Sequence, residues 1–476
     1  MRHQNFPRAV AVFAGALMLS ACRTFSPDGG MSVAANVADQ ELRKDVVAIR
    51  TQEDASSAHA RVRHLIKRPL TAETAVQISL LNNRGLQAAY NELGIAEATM
   101  IAESRPPNPK LSISRIASAA EIEIERKIVA DILALATLPA RAEIAQDRFR
   151  QAQLRAAERT IRVAGDARRS YYRAVASQQL AALLGEAQSA AANAAKLATR
   201  LGQSGALNKL DQAREQVFYA EITAQLATAR QQTAGDRERL VRIMGLWGND
   251  LAFRLPASLP LLPARPRPLP MVERDALGHR IDLQIARIEV ETLAKSLGLS
   301  QATRFINVLE LGVIDETTRP TDAASDRQRG VEVELQVPLF DFGETRIRAA
   351  EQTYMLAVNR LGDKAINIRS EARDAYRKYR STYDIAAHYQ REVLPLRKII
   401  SDEMMLRYGA MQVDVFALLT ESRQRIAASA AALDARRNFW LASADLSAAI
   451  VGGGSGASSE EASNVTMPAS SGSGSH

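Results

Sequence analysis

Long proline-free spans constrain this chain more than any other feature. No proline stands between Pro139 and Pro256, between Pro338 and Pro395, or between Pro395 and Pro468. These spans are rich in Ala, Leu, Arg, Gln and Glu, which lose little side-chain freedom in a helix. Ala140 to Thr199 alone predicts a helix of about 90 Å at roughly 1.5 Å per residue. A helix of that length has no globular core of its own and must pack along other helices, as in a coiled coil. Alanine-dense runs such as Ser189 to Ala198 let such neighbours approach closely.

Glycines interrupt the spans where antiparallel helices would turn: Gly202 and Gly205 in the first, Gly409 in the second. Six prolines between Pro256 and Pro270 predict a stiff, extended connector. Residues 453–476 are Gly/Ser-rich without periodicity, the composition of a disordered tail.

The chain is also duplicated. Arg200/Arg407, Gly202/Gly409, Leu226/Leu433, Arg230/Arg437 and Gly245/Gly452 recur at one offset. Arg141/Arg346, Ala145/Ala350, Arg168/Arg373 and Tyr171/Tyr376 recur at a slightly smaller one, and Leu86-Gln87 matches Leu283-Gln284. Their common order is what a tandem repeat predicts. The expected divisions are a leader, 1–21; an N-terminal segment, 22–69; a first repeat, 70–245, with strands in 108–130 and a hairpin in 140–245; and a linker, 246–271. A second repeat, 272–452, has strands in 304–338 and a hairpin in 343–451, ahead of the tail.

Between the first helix and the long hairpin of each half, the period shortens to two. Leu111 to Ser114 alternates, as does Glu121 to Glu125, and Val331 to Val337 is the cleanest case, preceded by a less regular Phe305 to Val313. Period two puts Val331, Val333, Leu335 and Val337 on one face and polar residues on the other. Glutamate is a good helix former, so Glu121 to Glu125 also admits a solvated helix.

Arg2 and Arg8, the apolar run Ala9 to Leu19, and Leu19-Ser20-Ala21-Cys22 form a secretory leader too short to span a membrane. Its last four residues fit a lipobox, which leaves Cys22 as an acylated N-terminus; the alternative is an ordinary leader with an incidental cysteine. Cys22 is the only cysteine, so no intramolecular disulfide forms. No later stretch has the 18 or so uninterrupted apolar residues of a membrane helix. The net charge of +8 is spread through mixed-sign stretches and aromatics are 5%, unlike the basic, aromatic-lined patch of a nucleic-acid binder.

Four strands in a bilayer cannot remain an open sheet, and the smallest closed barrels have about eight. Several chains must pool strands; the count alone admits a dimer or a trimer.

A duplicated strand–strand–helical-hairpin unit behind a lipoprotein leader resembles the TolC family, the outer-membrane factors of tripartite efflux pumps. The likeness runs from about Leu70 to Gly452. It includes Ala276-Leu277 with Arg280, Asp282 and Leu283, the passage Val337-Pro338-Leu339-Phe340-Asp341-Phe342-Gly343, and the tips Gly205 to Asp211 and Arg407 to Val415. The fold implied is mainly α with a small β part: long antiparallel hairpins forming an α-barrel, and four strands per chain in a trimeric 12-stranded transmembrane β-barrel. Implied partners are two further copies of the chain, a periplasmic adaptor, an inner-membrane pump and outer-membrane lipid, with no cofactor and no nucleic acid. Arg23 after the acylated cysteine favours the outer membrane by the same resemblance.

If Ile122, Ile124, Val331, Val333 and Leu335 face lipid, Glu121, Glu123, Glu125, Glu332 and Glu334 face a lumen. They would form either a cation-favouring vestibule or simply a wet wall. By resemblance Asp414 is a constriction aspartate, with Asp211 matching it in the first hairpin and Ala417 standing where a second aspartate is common. For either aspartate, capping a helix after the turn is the alternative reading. Leu201, Gly202, Gly205 and Leu207 at one tip, and Tyr408, Gly409 and Met411 at the other, suit docking of an adaptor. Met404, Met405 and Met411 offer soft thioethers, although methionine on a helix more often packs. The histidines show no metal-ligand spacing, and no nucleophile–base pair or phosphate loop marks an enzyme. Exported cargo would be small molecules or metal ions. The rival is a lipid-anchored periplasmic coiled coil that tethers the envelope without transport. One feature departs from the family: only Phe305, Phe340 and Phe342 lie near strand ends, where barrels carry aromatic girdles.

Overall fold

The computed structural model describes residues 24–119, 121–320 and 324–452, so Cys22 and the tail lie outside the described residues. The first repeat holds α3 (Ala72–Asn82), α4 (Arg84–Glu103), β1 (Lys110–Ala117), β2 (Glu121–Asp131), the short α5 (Ile132–Ala136), α6 (Leu138–Gln203) and α7 (Lys209–Met244). Ahead of it lie α1 (Ser32–Val37) and α2 (Gln52–Ile66). The second repeat holds α8 (Val272–His279), α9 (Ile281–Ala302), β3 (Val308–Pro320), β4 (Asp326–Gln336), α10 (Glu344–His388), α11 (Leu394–Gly409) and α12 (Val415–Val451). Glu121 to Glu125 is strand, the second reading of that stretch being excluded.

The long helices match in length. α6 runs 66 residues, roughly 100 Å, and Glu344 to Gly409 is equally long across α10 and α11. Pro395 has no N–H to donate; just before it the second helix widens to a π-turn at Tyr389–Val393 and restarts with the proline in its first turn. α6 packs against α4, α7, α9 and α12, while α10 packs against α9 and α12. Shorter helices stack end to end beside the long ones. Asn83 caps α4 through Leu86 N and donates to Ile243 O at 2.8 Å, while Asn82 donates to Gly245 O at 2.6 Å. The exposed carbonyls that end α7 are thereby satisfied by the residues that begin α4.

Apolar burial is concentrated at the middle of the helices. Leu70, Ile78, Tyr171, Leu240 and Met244 form one cluster; Leu283, Ile368, Tyr379, Tyr383 and Phe439 form another. Trp440 joins them, stacking on Tyr172 at 5.3 Å and standing edge-on to Phe439 at 5.1 Å. The proline-rich connector lies along this belt, its backbone satisfied by side chains. Trp440 Nε1 donates to Pro260 O at 3.1 Å and Tyr383 Oη to Pro263 O at 3.0 Å, while Arg267 N donates to Tyr379 Oη at 3.0 Å. Prolines supply no N–H, so their carbonyls are the groups needing partners.

At the start of α9, the Arg280 guanidinium forks onto Asp282 at 3.0 and 2.9 Å and reaches Glu371 of α10. Burial pushes the Asp282 carboxyl up, but the Arg280 fork, with Lys364 nearby, outweighs it and leaves the pKa lowered.

Two predictions follow from this belt. Phe439 is 1% exposed, so Phe439→Ala should cost about 3–5 kcal/mol, read as a lower midpoint of thermal unfolding followed by circular dichroism; an unchanged midpoint would remove Phe439 from the core that joins the repeats. Because the Asp282 pKa is lowered on folding, its contribution is complete above the ordinary carboxylate value and lost as pH falls through the lowered one. Arg280→Ala should therefore move the acid-unfolding midpoint to higher pH, and an unmoved midpoint would show that the pair carries no linkage.

Candidate functional site

The four strands form one antiparallel sheet in the order β1-β2-β3-β4. Its register assigns every strand residue to one of two faces. Glu121, Glu123, Glu125, Glu332 and Glu334 all lie on one of them. Glu310, Glu316, Asp131 and Asp326 share that face and were not singled out from sequence. A signal existed for Glu310, flanked by Leu309 and Leu311, but from Asp315 to Arg319 polar residues fall on both faces of β3 and the alternation is lost. Only Lys110 and Lys127 oppose these nine carboxylates on the same face. Lys110 pairs with Glu310 at 2.8 Å, and Lys127 pairs with Glu332. Gly312 lies between Lys127 and Glu332 and leaves the space their side chains cross. Glu125 stands directly opposite Glu316, and Glu310 opposite Glu334. Like charges in facing positions are tolerable only where water reaches them.

The opposite face carries Leu111, Ile122, Ile124, Ile128, Leu311, Val313, Val331, Val333 and Leu335. Most of these large apolar side chains are exposed, which a sheet facing water would not sustain. Where the strands meet the helices, Phe305, Leu339, Phe340 and Phe342 are exposed as well. No aromatic occurs within the strands themselves.

At the far ends of the helices, both hairpins turn with one hydrogen-bond pattern. Ser204 N donates to Arg200 O, Gly205 N to Gly202 O and Ala206 N to Leu201 O; Ala410 N donates to Leu406 O, Met411 N to Tyr408 O and Gln412 N to Arg407 O. This corrects the tip alignment read from sequence. Gly202 matches Tyr408, not Gly409, and Gly205 matches Met411. Asn208 caps α7 by accepting from Asp211 N at 2.9 Å, and Asp414 caps α12 by accepting from Ala417 N at 2.8 Å. Asp414 thus corresponds to Asn208, and Asp211 corresponds to Ala417. Asp211 instead accepts from Asn208 Nδ2 at 2.7 Å and pairs with Arg214 at 3.0 Å.

The shared turn requires a left-handed residue. Gly205 supplies it at φ 76°, but in the second tip Met411 is held at φ 55° and is 93% exposed. Tyr408, Gly409, Gly205 and Met405 are also exposed, whereas Leu201, Gly202, Leu207 and Met404 are half-buried. Among the described residues no group of three His, Cys, Asp or Glu is placed to hold a metal ion.

Two turns into each returning helix, Glu215 and Glu421 occupy equivalent positions and both are buried. Arg423 of α12 reaches across to Glu215 of α7 and covers Phe218 with its guanidinium at 4.4 Å. Arg397 of α11 pairs with Glu421 at 3.0 Å. Arg423 therefore ties one hairpin to the other just above the tips. Sequence reading missed these residues, although Glu215 and Glu421 recur at the offset that the turns define.

Among the described residues no helix is long and apolar enough to cross a membrane. No family model matches the chain. The cobalt-zinc-cadmium resistance protein CzcC of Cupriavidus metallidurans is 25% identical over 297 residues, which is 59% of this chain. The match spans 66% of that relative, just under two thirds of its length. Solved structures are similar over most of the chain. CusC, whose structures concern folding and transmembrane channel formation, aligns with a TM-score of 0.66 at 17% identity over 80% of this chain and 92% of its own. The open-state MtrE outer-membrane channel of Neisseria gonorrhoeae gives 0.66 at 14% identity, over 80% of this chain and 89% of its own. VceC, an outer-membrane protein of Vibrio cholerae, gives 0.65 at 14% identity over 83% and 96%. The fold is that of these outer-membrane channels.

The two tips share a turn but not a left-handed glycine, and that difference is measurable. Met411→Gly should stabilise the second tip by about 1 kcal/mol by relieving the positive φ. Amides of residues 407–414 should exchange more slowly with deuterium; faster exchange would mean that the methionine side chain, not the backbone, sets the turn.

Proposed function

We propose that the chain is the outer-membrane channel of a tripartite efflux system, a trimer whose pooled strands form a 12-stranded barrel over a helical tube. The segregated sheet carries this reading: nine carboxylates on one face, an exposed apolar face on the other, and a hydrogen-bonding edge left open at β1 and at β4. A tethering coiled coil needs no such sheet. In a bilayer the apolar face meets lipid, the acidic face lines water, and the edges pair between copies.

Each part of the chain then has a task. The acidic wall admits cations or cation-bearing small molecules. The relative CzcC is a cobalt-zinc-cadmium resistance protein, and metal ions are accordingly among the cargo we assign. The helix tips, with exposed Tyr408 and Met411 and half-buried Leu201 and Leu207, dock a periplasmic adaptor that connects to an inner-membrane pump. Asp414 lies at the mouth of the tube, where three copies would converge. Its capping bond to Ala417 N fixes the carboxylate at the start of α12. The Glu215–Arg423 pair holds the two hairpins of one chain together, so opening the tips requires breaking a half-buried ion pair. Cys22 carries the acyl anchor. The protein makes and breaks no bond in its cargo.

Planar-bilayer conductance of the purified full-length protein, with its mass in detergent, tests the reading. Trimers giving discrete, cation-preferring steps are expected. Glu123→Gln combined with Glu332→Gln should reduce the cation preference, and Asp414→Ala should alter the frequency of opening without changing the trimer. Monomers that never conduct would leave the tethering protein as the better account.

A further inference from the structure

The apolar face of the sheet changes character along its length. Near the helices it presents Leu309 beside Leu335, then Leu311 beside Val333, then the row Leu111, Ile128, Val313 and Val331. Beyond that row the same face presents Ile113, Arg126, Asp315 and Arg329, then Arg115, Ile124, Thr317 and Arg327, then Ile122 and Arg319, so that arginines are set among the last isoleucines. Five arginines face one aspartate, leaving four uncompensated positive charges per chain. Arg327, Arg329 and Arg126 converge on Asp315 at 2.6, 3.2 and 3.5 Å. Arg115 and Arg319 are exposed and have no carboxylate partner among the described residues. All the other carboxylates of the described strands lie on the opposite face, so the sheet itself offers these arginines no counter-charge.

We propose that this arginine patch binds the phosphate groups of anionic lipid in the outer leaflet. The inference rests on the reading of the sheet as part of a trimeric barrel whose apolar face meets lipid. Height supports it. From Val337, beside the exposed phenylalanines, to Arg329 is eight residues, about 27 Å along a strand and about 21 Å along the membrane normal at a tilt near 40°. The apolar band of such barrels is about 25 Å tall. The arginines therefore stand at the outer boundary of the hydrocarbon, and Phe305, Phe340 and Phe342 stand at the inner one. A cluster of positive charge at that boundary needs anions within reach, because hydrocarbon supplies none. The guanidinium fork grips phosphate through two parallel hydrogen bonds and sheds water more readily than an ammonium group. The chain uses arginine on this face and lysine on the acidic one, as phosphate recognition favours.

Native mass spectrometry of the full-length, detergent-purified trimer, titrated with diphosphoryl lipid A and separately with phosphatidylcholine, tests the proposal. The trimer should retain the phosphorylated lipid in preference, and less of it as salt is raised. Arg115→Gln with Arg319→Gln should weaken that retention about thirtyfold per chain, while Arg265→Gln, in the exposed connector, should leave it unchanged. Equal retention of both lipids, or unchanged retention by the double variant, would overturn the assignment. Pairing of trimers without lipid would give the face to a second copy and overturn it as well. Conductance in a purely phosphatidylcholine bilayer separates the two readings. A conducting trimer without lipid preference loses only the patch assignment, whereas a protein that neither trimerises nor conducts loses both.

Discussion

The open edges of β1 and β4 are the constraint on which the rest of this structure turns. The inner strands are paired on both sides along most of their length, but the outer sides of the first and last strands have no neighbour among the described residues. In water such edges invite aggregation, and in a bilayer they are not tolerated. The order β1-β2-β3-β4, antiparallel throughout, makes closure between copies direct. With an even number of strands, β4 of one copy runs opposite to β1 of the next, so the antiparallel pattern continues without a break. On the proposed trimer, closure of the sheet and closure of the helical tube are one event.

The two halves of the chain match in architecture but not in detail. Both long helices run 66 residues, and both hairpins turn through the same hydrogen bonds. The returning helices differ by one residue, 36 in α7 and 37 in α12. That extra residue explains why the alignment offset at the turns is one less than the offset at Gly245 and Gly452, which end the two helices. The chemistry differs more than the geometry. The first tip has a left-handed glycine and an asparagine cap; the second has a left-handed methionine and an aspartate cap. Whatever distinguishes the two tips to a partner is concentrated in the second, where backbone strain, an exposed thioether and a carboxylate occur within four residues.

Much of the fold is legible in the sequence, for physical reasons that also explain the gaps. Proline exclusion shows the long helices because a proline in a helix interior costs about 3 kcal/mol. Period two shows β4 because its alternation of valine and glutamate is nearly perfect. β3 is obscured after Val313, where Asp315, Glu316, Thr317 and Thr318 put polar residues on both faces. The five glutamates chosen from sequence share one face because alternation fixes sidedness within a strand. Their relation to Glu310 and Glu316 on β3 needs the inter-strand register, which composition does not contain. The tips were misaligned by one position because the residue that must be left-handed is glycine in only one of them. The Glu215–Arg423 pair was invisible for another reason: it joins positions 208 residues apart on helices whose rotation only packing sets.

The register also binds the electrostatics to the fold. Side chains alternate with period two, so a slip of one residue between β2 and β3 would carry one strand's carboxylates to the apolar face. In the proposed barrel the exposed apolar side chains resist such a slip through burial in lipid. The charged residues resist it a second time, because Lys127 reaches Glu332 across the space at Gly312, and Arg126 of β2 reaches Asp315 of β3 on the opposite face. One pair lies on each side of the sheet, and a slip breaks both. Lysine pairs on one face and arginine pairs on the other therefore do more than neutralise charge: they tie the segregation of acidic from apolar side chains to the strand register within a single chain.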